Sequence, residues 1–109
     1  MKTLIVEDET GAATNLRTLL REIDPEVAVL DVLETVTETV AWVRSHPLPD
    51  LIFMDIHLAD GQAFRIFEQT DIVSPIVFTT AYDRYALDAF KVNSIDYILK
   101  PIKRDELER

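Results

Sequence analysis

The sequence predicts an α/β domain in which a parallel β-sheet is covered by helices on both faces. Short runs of apolar and β-branched residues alternate with stretches of helical periodicity along the 109 residues. The strand-like runs are apolar almost throughout, which is typical of parallel strands buried on both sides. Strict alternation, together with right-handed crossover connections, favours a doubly wound five-stranded sheet.

Five strands and five helices are predicted in order. The strands are residues 3–6, 27–33, 51–54, 76–79 and 97–99. The first helix has apolar residues at i, i+3, i+4 and i+7, namely Leu16, Leu19, Leu20 and Ile23. The second follows the stripe Val36, Val40 and Val43 and ends at His46-Pro47. Residues 64–67 and 85–92 predict a third and a fourth helix, and residues 104–109 the start of a fifth.

Composition narrows the class of protein. A length of 109 residues suits one domain, and 48% apolar residues are enough for a core. The net charge of −9 argues against binding to nucleic acid or to an anionic membrane, and favours a cation or a basic partner. With no cysteine, a disulfide framework and a thiolate metal site are excluded. No apolar run has the length of a signal peptide or a membrane span, so we expect a cytoplasmic protein.

Polar residues collect where the predicted strands end. Glu7, Asp8 and Glu9 follow the first strand, and Asp55 follows the third. Doubly wound sheets bind ligands beyond the carboxyl ends of the strands, where the strand order reverses. If the order is 2-1-3-4-5, the first and third strands are neighbours, and Glu7, Asp8 and Asp55 share one pocket. Two like charges ~4 Å apart repel by about 4 kcal/mol at an effective dielectric near 20, so a cation is needed. Oxygen ligands at a wet rim suit Mg²⁺.

Two further residues complete a set suited to phosphoryl transfer. Lys100, after the fifth strand, offers a mobile positive charge for an anion, and Thr80, after the fourth, offers a hydroxyl. Asp55 would be the carboxylate nucleophile, a metal would neutralise charge, and Lys100 and Thr80 would contact the outer phosphoryl oxygens.

Each of these residues also has a simpler interpretation. Glu9 fits a helix-capping role, because helix N-termini favour acidic side chains, and Asp8 alone would fit it as well. Asp60-Gly61 is a turn signal, and Thr80 could cap the fourth helix. A Lys-Pro step is a common strand end. The convergence of several strand ends on one rim favours the functional interpretation.

The histidines and the tryptophan are given structural roles. His46 precedes a proline at a helix end and is interpreted as a solvated terminus residue. His57, two residues after Asp55, is expected to expose its side chain while its backbone carbonyl could reach a cation. Trp42 lies next to the apolar stripe of the second helix and is interpreted as a packing residue.

In combination, these residues resemble a bacterial response-regulator receiver domain. The acidic pair Glu7-Asp8, Asp55, the step Thr80-Ala81 and the step Lys100-Pro101 occur in the expected order and spacing. The match spans essentially the whole chain. The segment FTTAYDRYALDAFKVNSIDYILKPI further resembles regulators with a LytTR-type DNA-binding output domain.

The resemblance implies a flavodoxin-like fold with strand order 2-1-3-4-5 and a role in two-component signalling. A sensor histidine kinase would donate a phosphoryl group to Asp55. Asp8, Asp55 and the backbone carbonyl of His57 would hold Mg²⁺, with Glu7 acting through water. Lys100 would contact the phosphoryl group.

The resemblance also implies a switch. Thr80 would swing toward the phosphoryl group, and Tyr97 occupies the place of the switch aromatic. Their movement would change the face formed by the fourth helix, fifth strand and fifth helix, through which homodimers often form in this family. The chain would be a receiver with a truncated last helix, separated from a C-terminal output domain that alone contacts DNA.

Three departures from the family pattern and two alternatives remain. The first helix opens on Thr10-Gly11, where this group often has proline. Glu7 stands where aspartate is commoner, and the loop between Asp55 and Gly61 is about two residues shorter than in many receivers. A phosphorylation-independent dimerisation or docking module is the first alternative function. A small flavodoxin-like enzyme or flavin carrier is the second, but the acidic residues after the first strand would repel its phosphate.

Overall fold

The main sheet contains five parallel strands. The computed structural model describes residues 1–81, 94–100 and 102–107. The strands are β1 (Lys2–Val6), β2 (Ala28–Leu33), β3 (Leu51–Asp55), β4 (Ile76–Thr80) and β5 (Ser94–Leu99). They pair in the order β2-β1-β3-β4-β5. The predicted doubly wound sheet and its strand order are therefore confirmed, and β1 and β3 are neighbours at the reversal of strand order.

The helices follow the predicted sequence of elements. They are α1 (Thr10–Ile23), α2 (Val36–Ser45), α3 (Ile66–Gln69) after a 3-10 turn (Ala63–Arg65), and a C-terminal helix (Arg104–Leu107). The fourth helix predicted at residues 85–92 lies outside the described residues. Among the helices that the structure describes, none is both long enough and apolar enough to cross a membrane.

Several strand boundaries differ from the prediction by one to three residues, and two of these differences concern the site. β3 and β4 each extend one residue further, so Asp55 and Thr80 are the last residues of their strands rather than the first residues of loops. Both remain paired, because Asp55 lies opposite Thr79 and Thr80 lies opposite Leu99. A short antiparallel pair, His57–Leu58 with Gly61–Gln62, follows β3 and was not predicted. A two-residue strand is too short to show an alternating pattern in the sequence.

The core forms two layers because side chains alternate between the faces of each strand. One layer packs α2 and α3 against the sheet and includes Leu4, Val6, Ile52, Met54, Ile76 and Phe78. The other packs α1 and includes Ile5, Phe53, Val77 and Ile98. Trp42 is buried in the first layer, as predicted, and its indole stacks on the imidazole of His46 at 4.3 Å between ring centroids.

Substitution of Phe78 tests the packing of the first core layer. The side chain of Phe78 is fully buried, and its ring centroid lies 5.5 Å from that of Phe64 and 6.4 Å from that of Phe67. We expect Phe78→Ala to lower the free energy of unfolding by about 3–5 kcal/mol, because it removes a large ring and leaves a cavity. Urea denaturation measures this change. Val73→Ala, at a side chain that is 73% exposed, is the control and should cost well under 1 kcal/mol. Equal losses for the two variants would contradict the assignment of the core.

Candidate functional site

The parallel register brings three strand ends to one edge and one face of the sheet. Ile5 and Phe53 point toward α1, so two residues later Glu7 and Asp55 point the same way. On β5 the same alternation leads from Ile98 to Lys100. The backbone N–H of Lys100 donates to the Thr80 carbonyl at 2.7 Å, which fixes the end of β5 against the end of β4. The predicted convergence of strand ends is therefore present.

The ammonium of Lys100 lies between two buried carboxylates. Its Nζ is 2.5 Å from Glu7 Oε1 and 3.0 Å from Asp55 Oδ2, and Glu9 Oε1 is 3.8 Å away. Partial burial by itself would lower the pKa of Lys100, but the hydrogen bonds to Glu7 and Asp55 outweigh it and raise that pKa above its ordinary value. Lys100 is thus held in its charged form at the centre of the site.

Glu7 and Asp55 are the two buried acidic residues at this edge. The side chain of Glu7 is 5% exposed, and its Oε2 accepts from the backbone N–H of Glu9 at 3.3 Å. Burial, followed by the hydrogen bond to Asp55, raises the pKa of Glu7 from 4.5 to about 7, even though Lys100 acts in the opposite direction. Glu7 lies behind Lys100 and does not line the open cavity at this edge.

Asp55 has both oxygens occupied by donors. Its Oδ1 accepts from the backbone N–H of His57 at 3.3 Å, and its Oδ2 accepts from Lys100. Asp55 is 4% exposed and lies at the bottom of a cavity of about 340 Å³. The lining residues are Asp8, Glu9, Asp55, His57, Thr80, Ala81 and Lys100. A small anion can therefore approach Asp55 from solvent while Lys100 flanks it.

Four carboxylates at this edge could hold a cation. Ligand atoms of Glu7, Asp8, Glu9 and Asp55 all lie within 4.8 Å of one another. All are oxygen donors, and the exposure of Asp8 and Glu9 leaves room for water, which is the donor set that Mg²⁺ prefers. The residues present therefore fit a magnesium ion.

Glu9 occupies the predicted helix-capping position, but its carboxylate has a different partner. It is the N-cap residue of α1, but its side chain makes no capping hydrogen bond. Its carboxylate turns instead toward Lys100 and the acidic cluster. The capping interpretation was wrong in this respect, because the charge of Lys100, distant in sequence, attracts the carboxylate.

The other site residues of the sequence analysis divide into two groups. Thr80 is fully buried and lines the cavity. His57 also lines the cavity, but the expectation that its side chain is exposed was wrong, because the residue is partly buried and its Nε2 atom is buried. The side chain of Tyr97 and the whole of Pro101 lie outside what the structure describes, so the predicted switch aromatic remains a prediction. Ala81 and Glu9 line the cavity without having been predicted to do so, and no chemical signal marks an alanine.

A protein-family model matches almost the whole of the chain. Residues 3–109 match the model described as the response regulator receiver domain. The matched range contains every strand end that contributes to the cavity.

Curated proteins with similar sequences are regulators. The chain is 39% identical over 110 residues to the sensory transduction protein LytT of Enterococcus faecalis, covering 98% of this chain and 45% of that protein. It is 38% identical over 112 residues to the transcriptional regulatory protein BtsR of Salmonella typhi, covering 100% of this chain and 46% of that protein. The chain thus spans less than half the length of these relatives.

A solved structure shares the fold. The crystal structure of the response regulatory domain of protein mrkE from Klebsiella pneumoniae has a TM-score of 0.84 and 29% sequence identity. The alignment covers 99% of this chain and 89% of that one. The chain therefore belongs to the response regulator receiver domain family, whose members act in two-component signal transduction.

Proposed function

We propose that this receiver domain accepts a phosphoryl group on Asp55 from a sensor histidine kinase, in a reaction that depends on Mg²⁺. The observation that carries the proposal is the position of Asp55 at the bottom of an open cavity, hydrogen-bonded to Lys100 beside a cluster of carboxylates that could hold a metal ion. Receiver domains of response regulators interact with sensor histidine kinases, and the family match supports that partner.

In the transfer, an oxygen of Asp55 forms a bond to phosphorus while the bond between phosphorus and the kinase histidine nitrogen breaks. The imidazole leaves with the electron pair and takes its proton from solvent. Lys100 stays hydrogen-bonded to the Asp55 oxygen that it already contacts, so its positive charge remains next to the phosphoryl group during the transfer. Thr80, at the cavity wall, offers its hydroxyl to an outer phosphoryl oxygen.

The metal site would be formed by Asp8, Asp55 and the backbone carbonyl of His57, with Glu7 acting through water. All three direct ligands line the same cavity. When bound, Mg²⁺ would neutralise charge on the carboxylates and on the phosphoryl oxygens. Glu7 lies beneath Lys100, so its contribution includes holding that lysine as well as binding water.

The output of the switch is an extension of the proposal. Phosphorylation replaces the single negative charge of the Asp55 carboxylate with the nearly two negative charges of a phosphoryl group, which Thr80 and Lys100 bind better than they bind the free carboxylate. Movement of Thr80 and Tyr97 would then alter the face formed by the fourth helix, β5 and the C-terminal helix, where a homodimer would form. A DNA-binding domain following this receiver would read that change. The regulatory names and greater length of the relatives support this output.

Asp55 is tested by phosphorylation with a small donor. Incubation with Mg²⁺ and acetyl phosphate should add one phosphoryl group to the wild-type protein, measured by intact mass. Asp55→Asn should gain none, because its amide is not a nucleophile. An equal adduct on both proteins, or none on the wild type, would refute the assignment of Asp55. Oligomeric state that is unaffected by phosphorylation would favour the alternative, a phosphorylation-independent docking module.

Asp8 is tested by the response of stability to metal. At Mg²⁺ concentrations about tenfold above Kd, binding should stabilise the wild type by about 1.4 kcal/mol and raise its Tm by about 5 °C. Asp8→Asn should raise the metal-free stability by about 1 kcal/mol, because one like charge is removed, and should abolish the response to Mg²⁺. A wild-type Tm that does not change at millimolar Mg²⁺ would exclude the proposed site.

The raised pKa of Glu7 predicts a pH dependence of the metal-free protein. A carboxyl with a higher pKa in the folded state binds more protons there, so its contribution to stability falls as pH rises from 4.5 to about 7. In EDTA, Glu7→Gln should match the wild type near pH 4.5 and exceed its stability by up to about 3 kcal/mol at pH 8. Chemical denaturation across this range measures the difference. A difference independent of pH would contradict the raised pKa.

A further inference from the structure

The loop after β3 is bound to the start of α2. The carboxylate of Asp60 accepts from the backbone N–H of Val36 at 2.6 Å, and from the backbone N–H and hydroxyl of Thr37, both at 3.1 Å. A fourth contact joins the same two segments, since the Ala59 N–H donates to the Glu34 carbonyl at 3.3 Å. The tip of the loop is therefore fixed to an element more than twenty residues away in sequence.

The N-terminus of α2 is capped by Thr35, which directly precedes the helix, and by Asp60, which belongs to the loop after β3. Thr35, the N-cap residue, accepts from the Glu38 N–H at 3.0 Å, while Asp60 accepts from the two preceding N–H groups. Partial desolvation would raise the pKa of Asp60, but the hydrogen bonds from Val36 and Thr37 outweigh it and hold that pKa below its usual range. Thr35 lies next to the helix that it caps, whereas Asp60 caps the helix from the loop after β3 and so holds that loop against it.

Apart from the contacts of its tip, the loop is held at its base, where Ile56 and Leu58 are buried in the core and the Ala63 N–H donates to the Ile56 carbonyl at 2.7 Å. Its antiparallel pair has only two residue pairs, His57 with Gln62 and Leu58 with Gly61, and such a short hairpin is marginal by itself. Gly61, with φ of +141°, is the one described residue with a positive φ, and it completes the turn after Asp60. His57 is at the base of this pair, where its N–H donates to Asp55. Fixing the tip therefore restricts the orientation of the His57 peptide group.

We infer that Asp60 is a positioning residue for the metal site: by clamping the loop tip to the N-terminus of α2, it holds the His57 carbonyl in place for a divalent cation. This inference rests on the proposed function, which assigns that carbonyl as a ligand. Asp60 does not touch the cation itself. Because coupling is reciprocal, a clamp that strengthens metal binding is itself strengthened when the metal binds.

The first experiment compares Asp60→Ala with Thr35→Ala, a matched control that removes a cap from the same helix end without releasing the loop. Mg²⁺ affinity is measured by calorimetry, and folding of each variant by circular dichroism. Both variants should lose stability, but only Asp60→Ala should bind Mg²⁺ roughly tenfold or more weakly, as expected for loss of an outer-shell contact. Asp60→Asn, which retains one acceptor oxygen, should lie between the two, and it replaces Asp60→Ala should the latter fail to fold.

The second experiment follows backbone amides by hydrogen exchange. Mg²⁺ should slow exchange at Val36 and Thr37 in the wild type and in Thr35→Ala, but not in Asp60→Ala. Unchanged exchange at these amides in the Mg²⁺-bound wild type, or equal loss of affinity in Asp60→Ala and Thr35→Ala, would overturn the inference. So would an Asp60→Ala variant that binds Mg²⁺ as tightly as the wild type, and in that case the proposed metal site would stand. A wild type that binds no Mg²⁺ would refute both.

Discussion

One ammonium group shared by two buried carboxylates is the interaction on which the functional edge of this sheet depends. The ammonium of Lys100 contacts Glu7, which directly follows β1, and Asp55, the last residue of β3. It therefore joins the ends of strands that are distant in sequence. Like charges ~4 Å apart repel by about 4 kcal/mol at an effective dielectric near 20. Without Lys100 or a metal ion, ionised carboxylates at the ends of both β1 and β3 would carry a penalty of this order.

The same requirement explains the composition of the edge. Glu7 is buried behind Lys100, whereas Asp8 and Glu9 are more exposed and border the open cavity. The one charge of Lys100 offsets part of the charge of Glu7 and Asp55, and a hydrated cation bound by Asp8 and Asp55 would offset the rest. The site therefore combines a permanent positive charge with room for an exchangeable one, which suits a reaction that brings a phosphoryl group to Asp55.

The segments around the site are hydrogen-bonded to one another. The end of β2 and the residue after it contact the connection that follows β1 and the loop that follows β3. The Leu33 carbonyl accepts from the Glu7 N–H at 2.8 Å, and the Glu34 carbonyl accepts from the Ala59 N–H. Asp60 completes this arrangement at the start of α2. The shortened loop after Asp55 is thus compatible with a fixed His57, because helix α2 supplies contacts that so short a hairpin lacks.

Apolar periodicity and strand-end chemistry are local signals, and they predict the alternating elements, the helices on both faces and the group Glu7, Asp8, Asp55, Thr80 and Lys100. The strand order was implied by the resemblance to receiver domains. How the site residues share their partners depends on the packed fold. Glu9, expected to cap α1, turns toward Lys100, and Asp60, expected only to mark a turn, binds the N-terminus of α2. Both outcomes depend on a partner far away in sequence, because a carboxylate pairs with whichever cation or N–H group the packed fold brings close to it.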